Sequence, residues 1–345
     1  MKKIIFALCM FSFIFSSVEI SGDARFRPRF DQKINGDETS TSDLYYLYRA
    51  RINFKVDIDG GWYFKTKLGT SSIAGMSKMG SDGSGPGIES SYRPLVSFME
   101  LNFGYKAESC GYWAGIFPLK SNPSLDIHFY PNKLVDIPFA LYSNGAIMGM
   151  GGYKTFFSNK VNWFMSVDKN VTNNEEYQLD NNLADSSSID FYTLGLNSSI
   201  KLSQITFTPT LLYSFGNKNS NSPLTVGGDI TLPRISNIKS SLSYYNSFNG
   251  DEGDNDYYQV DHFRLSLIYP FNENKIKLFY DMANHNDDQF SYLWISYTHM
   301  CYKGDLGEVS MSPTIRMQTG TGIGDDYDKD YKRNKFELTT QIKFK

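Results

Sequence analysis

Basic residues recur on alternate positions near both ends of this 345-residue chain. Arg25, Arg27 and Arg29 come first, then Arg49, Arg51 and Lys55, then Lys65 and Lys67; Arg316, Lys335 and Lys343 lie close to the other end. Side chains two residues apart on an extended strand share one face. Each run is therefore a ladder of guanidinium and ammonium groups. A ladder of this kind facing water sets up a local positive field that concentrates anions and can pass them along. Asp23, Asp57, Glu308 and Glu337 stand among these cations. The plainer reading is that the charges are solvated and pair with those carboxylates. A third keeps the basic wall but sets it against acidic groups elsewhere, so that a transverse field admits small polar solutes. The formal net charge is only −3, so the basic face is local.

Other chemistry finds less support. The four histidines, His128, His262, His285 and His299, are scattered, and no G-x-S-x-G elbow occurs, so an enzyme is not expected. Gly320, Gly322 and Gly324 make a flexible tip without the lysine and serine of a phosphate loop. Acidic runs fall at Asp251–Asp256 and Asp325–Asp330, and the alternating Asp of the second could bind Ca²⁺ or bridge lipopolysaccharide through divalent ions; solvated acidic tips have the same composition, and no metal site or cofactor is assigned. No basic cluster with a nucleic-acid reader motif is present.

The elements that carry the ladder are strands. In YLYRARINFKVDIDGGWYFKTKLG, Tyr48, Ala50, Ile52, Phe54, Val56 and Ile58 alternate with Arg49, Arg51, Asn53, Lys55 and Asp57. Period two over that length is a strand with two unlike faces. Asp59-Gly60-Gly61 supplies a tight turn, and the alternation resumes at Trp62. Similar stretches follow at about 94–107 with 110–118, 141–157 with 160–168, and 189–202 with 204–216. Three more pairs fall at 225–232 with 236–248, 257–270 with 274–284, and 288–302 with 306–317. Single strands at 18–30 and 334–345 flank them. Connections alternate between short turns and longer polar segments, including 31–43. The expected fold is all-β: a transmembrane antiparallel barrel of about sixteen strands, with lipid outside, water within and both termini on the short-turn side.

Composition fits that reading. The chain has 24 Tyr, 26 Phe and 4 Trp, and its mean hydropathy of −0.38 suits a barrel that shows lipid only alternate residues. Tyr48, Trp62, Tyr105, Trp163, Tyr213 and Trp294 lie near strand ends, as interface girdles require, although a sugar-binding slide along the lumen would use the same residues. Lys2 and Lys3 precede the apolar run Ile4–Phe15, and Ser16 and Ser17 close it. Residues 1–17 thus read as a secretory signal peptide, leaving 18–345 as the barrel. Cys110 and Cys301 fall on separate strand pairs and are expected to be free thiols.

The opening GDARFRPRF, the hairpin quoted above and the final strand Phe336–Phe344 make the chain similar to Gram-negative outer-membrane porins, in style closest to the phosphate-selective and alginate-export branches. Lys345 follows Phe344 where such barrels usually end in an aromatic residue. The resemblance implies an outer-membrane location and contacts with lipid and lipopolysaccharide. It also implies passive diffusion of small hydrophilic solutes, leaning towards anions. A channel specific for an acidic sugar or phosphate-like solute is the alternative, and a non-conducting adhesin or structural barrel comes from another class. A homotrimer is implied too, for which small residues around Gly149 and Gly151, expected to face outward, would admit a neighbouring barrel; glycine equally marks strand bends.

One connection differs from the rest. Segment 119–140 holds three prolines, the apolar Leu125, Ile127, Phe129, Leu134 and Ile137, and the polar Asp126, His128, Lys133 and Asp136. Long connections with apolar residues of their own are usually functional. It is the third long connection, the ordinal place of the constriction loop in the porins. It is therefore the candidate for an inward-folded constriction, with an external lid as the alternative.

Overall fold

The computed structural model describes residues 18–36, 39–70, 76–80, 96–120, 144–157, 159–171, 189–216, 222–249, 258–285, 288–320 and 331–345. Among the described residues, seventeen strands form one antiparallel sheet. It opens with β1 (Val18–Ile34), β2 (Ser40–Asp57) and β3 (Trp62–Gly69). Among the described residues the two-residue β4 (Ser77–Lys78) pairs only with β2. Next come β5 (Ser97–Lys106), β6 (Cys110–Lys120), β7 (Asn144–Phe156), β8 (Asn159–Val171) and β9 (Ile189–Leu202). They are followed by β10 (Ile205–Gly216), β11 (Leu224–Thr231), β12 (Lys239–Asn249), β13 (Tyr258–Phe271) and β14 (Asn274–His285). The last are β15 (Asp288–Gly304), β16 (Gly307–Gly320) and β17 (Tyr331–Phe344).

Sixteen strands, all but β4, close the barrel. The first strand pairs with the second from Val18↔Val56 to Ile34↔Ser40 and with the last from Gly22↔Phe344 to Ile34↔Lys332. Closure satisfies the backbone of both terminal strands and leaves no open edge, the condition for a sheet in hydrocarbon.

The sheet is turned inside out relative to a soluble sandwich. Phe26, Ile52 and Trp62 are about two-fifths exposed, whereas Arg49 is 4% and Glu100 1% exposed. Apolar residues of the alternating pattern face outward and charged ones face the lumen, as period two requires.

Tight turns sit where the sequence placed them. Gly60 and Gly61 both adopt positive φ (76° and 90°) in the β2–β3 turn, which closes with the Ile58 amide donating to the Trp62 carbonyl at 2.7 Å. Ser203 and Asn272 also take positive φ, at 58° and 51°, in two further turns.

Three expectations need correction. Residues 31–43 are mostly strand: β1 and β2 continue to a short connection closed by the Asn35 amide on the Thr39 carbonyl, 2.9 Å. The connection between β14 and β15 spans only 286–287, so long and short connections do not alternate strictly. Gly149 and Gly151 face the lumen, not the outside. They stand in register with Gly115 and Trp113, while Met148 and Met150 on the same strand are the outward residues, 62% and 45% exposed. A Cβ on Gly149 would lie 2.0 Å from the Met165 carbonyl oxygen, so close approach of β7 and β8 is the reason for glycine there.

Candidate functional site: the inner wall

The ladder is assembled by register. Asp23 is opposite Arg51, and Arg25 is opposite Arg49. Two like charges directly across a ladder repel. Asp23 offsets both, because its carboxylate accepts from Arg51 Nε at 2.6 Å and lies 3.3 Å from Arg49 Nη2 and 3.5 Å from Arg25 Nε. One carboxylate thus serves three guanidinium groups.

The same arrangement recurs where the chain's two ends meet. Glu337 on β17 is opposite Arg29 on β1 and ion-pairs with it; Arg316 Nη2 lies 2.9 Å away and Arg27 Nη1 3.6 Å away. Arg27 Nε also donates to Thr339 Oγ1 at 2.7 Å. Taken together, these two clusters give six arginines and two carboxylates within one arc of the wall. Shared ion pairing holds the guanidinium planes in place without cancelling their charge.

Strand geometry sets the spacing of the rungs. Inward residues recur every second position, roughly 6.6 Å along a strand. Arg25, Arg27 and Arg29 therefore step across the barrel wall from the Asp23 cluster to the Glu337 cluster. Towards the long-loop rim, Asp31 takes a two-pronged hydrogen bond from Arg333 (2.8 and 2.9 Å), with Lys335 Nζ at 3.6 Å and the Tyr45 hydroxyl donating at 3.0 Å.

The remaining predicted cations lie beside this core. Lys65 and Lys67 converge on Glu100, at 2.7 and 3.3 Å. Lys55 pairs with Asp57 at 2.6 Å and Glu19 at 3.5 Å near the short-turn rim, and Lys343 pairs there with Glu308. Each of the eleven basic side chains expected from sequence to line the lumen has a carboxylate within ion-pairing distance. Asp126, His128, Lys133 and Asp136 lie outside the described residues, as do the signal segment 1–17 and both acidic runs.

Sequence reasoning missed several inward groups. Asp31 and Arg333 were not included because that stretch read as loop. Glu100 was hidden by a bulge: Leu68 pairs with Phe98 and Lys67 with Glu100, so Met99 is the extra residue. Phe98 points outward at 57% exposure while Met99 and Glu100 are both buried, and the period-two phase slips there. On β13 and β14, Arg264 makes a fork-to-fork pair with Asp281 at 2.6 Å through both prongs, and His262 Nε2 lies 2.9 Å from the same carboxylate. Their alternation in DHFRLS and YDMAN was the available signal.

The opposite side of the barrel is built differently. There aromatic residues lie over glycines directly across the ladder: Tyr153 over Gly111, Trp113 over Gly151, Phe164 over Gly195 and Tyr245 over Gly227. A Cβ at Gly195 would sit 1.9 Å from Phe164 Cε1, and at Gly227 2.3 Å from Tyr245 Cδ1. The missing side chain lets each ring lie flat on the wall. Phe117, Ile147, Phe164 and Leu212 form an apolar cluster there, with Trp113 packed against it. Beyond it, Thr193 and Ser214, then Thr225 and Ser247, pair through their hydroxyls.

Of the aromatic residues assigned to girdles, Trp62, Trp163 and Tyr213 are outward and about two-fifths exposed. Trp62 packs with Tyr105 and Tyr112 at the short-turn rim, at centroid distances of 5.5 and 5.8 Å. Trp294 is a correction. It stands in register with Arg316 on the inner face, is 9% exposed and packs on Phe279. Cys110 and Cys301 are free. Among the described residues no three His, Cys, Asp or Glu side chains group as metal ligands.

No family model matches the sequence, and no curated protein matches it. Solved structures do match. An anion-selective porin from Comamonas acidovorans superposes with a TM-score of 0.58 at 9% identity, over 95% of this chain and 99% of that one. OmpF of Salmonella typhi, in complex with daunomycin, gives 0.54 at 11% identity over 94% and 97%. The trimer form of OmpT, an outer-membrane protein of Vibrio cholerae, gives 0.51 at 10% identity over 95% and 99%. At these identities the likeness is one of architecture, and it runs through nearly the whole of each chain. The chain has the fold of the Gram-negative outer-membrane porins.

Proposed function

We propose that the protein is an outer-membrane porin, a water-filled channel for passive diffusion of small hydrophilic solutes with a preference for anions. The observation that carries this reading is the pair of clusters in which six arginines share Asp23 and Glu337 on the inner face of a closed sixteen-stranded barrel. Surplus guanidinium charge along a polar wall raises the local concentration of anions and lowers that of cations. Among the described residues the facing wall of paired hydroxyls and ring faces offers no matching carboxylate ladder, which supports a transverse field. Similarity to a porin whose own name is anion-selective supports the same sign.

The reading includes removal of residues 1–17 as a signal segment and assembly as a homotrimer, in keeping with the trimer form of OmpT. Refolded protein in a planar bilayer tests it. Stepwise openings in KCl are expected; a folded barrel that never conducts would instead favour an adhesin or structural role.

A further inference from the structure

Two cations of the inner wall lie off the ladder that the sequence displays. Lys275 and Lys277 occupy alternate positions of β14, in register with Thr298 and Ser296 of β15. Among the described residues neither has a carboxylate within ion-pairing distance. Glu308, which Lys275 reaches electrostatically, is held by Lys343, and Glu273 pairs with Lys303 at 3.3 Å. Asp281, further along β14, is taken by Arg264 and His262. Lys277 is partly buried, and the charges acting on it are positive: Lys275, Arg25 on β1 and Lys343 on β17. Round the wall β1 is four strand spacings from β14, roughly 19 Å. For Lys277 and Arg25 to act on one another, their long side chains must reach over the inner faces of β15 and β16.

Those inner faces carry hydroxyls and no charge over this stretch. Ser296 and Thr298 on β15 lie beside Ser310, Ser312 and Thr314 on β16, and Gln341 of β17 stands between Ser310 and Arg25. Thr314 Oγ1 donates to Ser296 Oγ at 2.9 Å, and Ser312 Oγ donates to Thr298 Oγ1 at 3.0 Å. Thr298, directly across from Lys275, thus accepts within the floor and keeps its own proton for a further acceptor. The carboxylates that bound the floor, Glu308 and Glu337, are both engaged by cations. Like charges on one face of a strand repel, and no fixed acid relieves Lys275 and Lys277. A mobile anion would.

We infer that this hydroxyl floor is a binding site for a divalent oxyanion of the sulfate or hydrogenphosphate type. Lys275 and Lys277 supply two balancing charges from one side, and Arg25 approaches from the other. The Thr298 hydroxyl donates to one of the oxygens. Four oxygens on one centre can meet donors arriving from several strands, and two negative charges match the two lysines left without an acid. Chloride offers one charge and no separate oxygens. The site rests on the reading of the barrel as an anion pathway and gives that pathway a fixed station on β14–β16, apart from the arginine clusters.

Isothermal titration calorimetry on the full barrel refolded in detergent tests the site without requiring conductance. The probes are sodium sulfate, inorganic phosphate and sodium chloride, compared at equal ionic strength so that general screening is the same. Sulfate and phosphate are each expected to bind about tenfold more tightly than chloride. The double variant Lys275→Gln/Lys277→Gln should lose about tenfold in sulfate affinity, and Thr298→Val a smaller factor, whereas Lys277→Arg should retain most of it. Thermal unfolding gives a second readout. By mass action sulfate should raise the midpoint of the wild type above its value in chloride, and should not do so for the double variant. Sulfate affinity no greater than that of chloride would overturn the site, as would binding untouched by the double variant. Failure here alongside normal KCl conductance would remove the site and leave the channel standing. Sulfate binding by a barrel that never conducts would do the reverse.

Discussion

Arg29 and Glu337 face each other across the seam that joins the first and last strands of the barrel. The Glu337 side chain is only 1% exposed, and Arg27, Arg29 and Arg316 all lie within ion-pairing distance of it. The contact that closes the sheet is therefore also the one that sets part of the wall's charge.

Removing that carboxylate has a predictable cost. Breaking a buried pair strands the partner charges, typically at about 3–5 kcal/mol. Three guanidinium groups would lose their shared acceptor in Glu337→Gln. We expect destabilisation of about 3 kcal/mol, near the low end because the lumen can hydrate the arginines. Urea-induced unfolding in detergent or lipid measures it, and a change below about 0.5 kcal/mol, the range of ordinary surface substitutions, would contradict the assignment.

The glycine under Phe164 makes a second, independent test. In Gly195→Ala the new methyl would occupy the space of the ring and force it off the wall. Overpacking of this kind costs about 1–3 kcal/mol. Adding Phe164→Leu should recover a large part of that loss, because the obstruction comes from the ring itself. Thermal unfolding of the single and double variants compares them. No recovery in the double variant would mean that the strand backbone, not the ring, needs glycine there.

Segment 119–140 is the proposed constriction. Its first two residues belong to β6, and Asp126, His128, Lys133 and Asp136 belong to the connection beyond it. If it folds inward, deletion of Leu125–Val135 should raise single-channel conductance, on the order of twofold, since a narrow zone dominates pore resistance. Unaltered conductance would support an external lid.

Much of this architecture was legible in the sequence because alternation in a barrel wall has one cause, the contrast between lipid and water. Ile52 beside Arg51 states both faces at once, and Gly60-Gly61 states the turn. Legibility failed where that contrast is interrupted. At Met99 a bulge shifts the phase and hides Glu100. At Asp31–Ile34 and Ser40–Asp43 both faces of the strand are largely polar, so a strand reads as loop. Trp294 and Gly149 failed for a different reason. Residue type alone does not distinguish a girdle tryptophan from one packed on Phe279 inside the lumen, nor an outward small residue from an inward one that admits a neighbouring strand. The carboxylate partners were half visible: Asp23 and Glu337 could be read, but that each would serve three arginines depends on register, which at Glu337 joins residues about 300 positions apart in sequence.

The reversal potential under a KCl gradient most directly tests the claim that the arginine clusters set ion preference. An anion-selective sign is expected. It should be stronger at about 0.1 M salt, where the screening length is near 10 Å, than at about 1 M, where it falls to about 3 Å. In Arg27→Glu/Arg49→Glu/Arg51→Glu the potential should move towards the cation-selective side. A cation-selective wild type, or a triple variant with unchanged potential, would contradict the account.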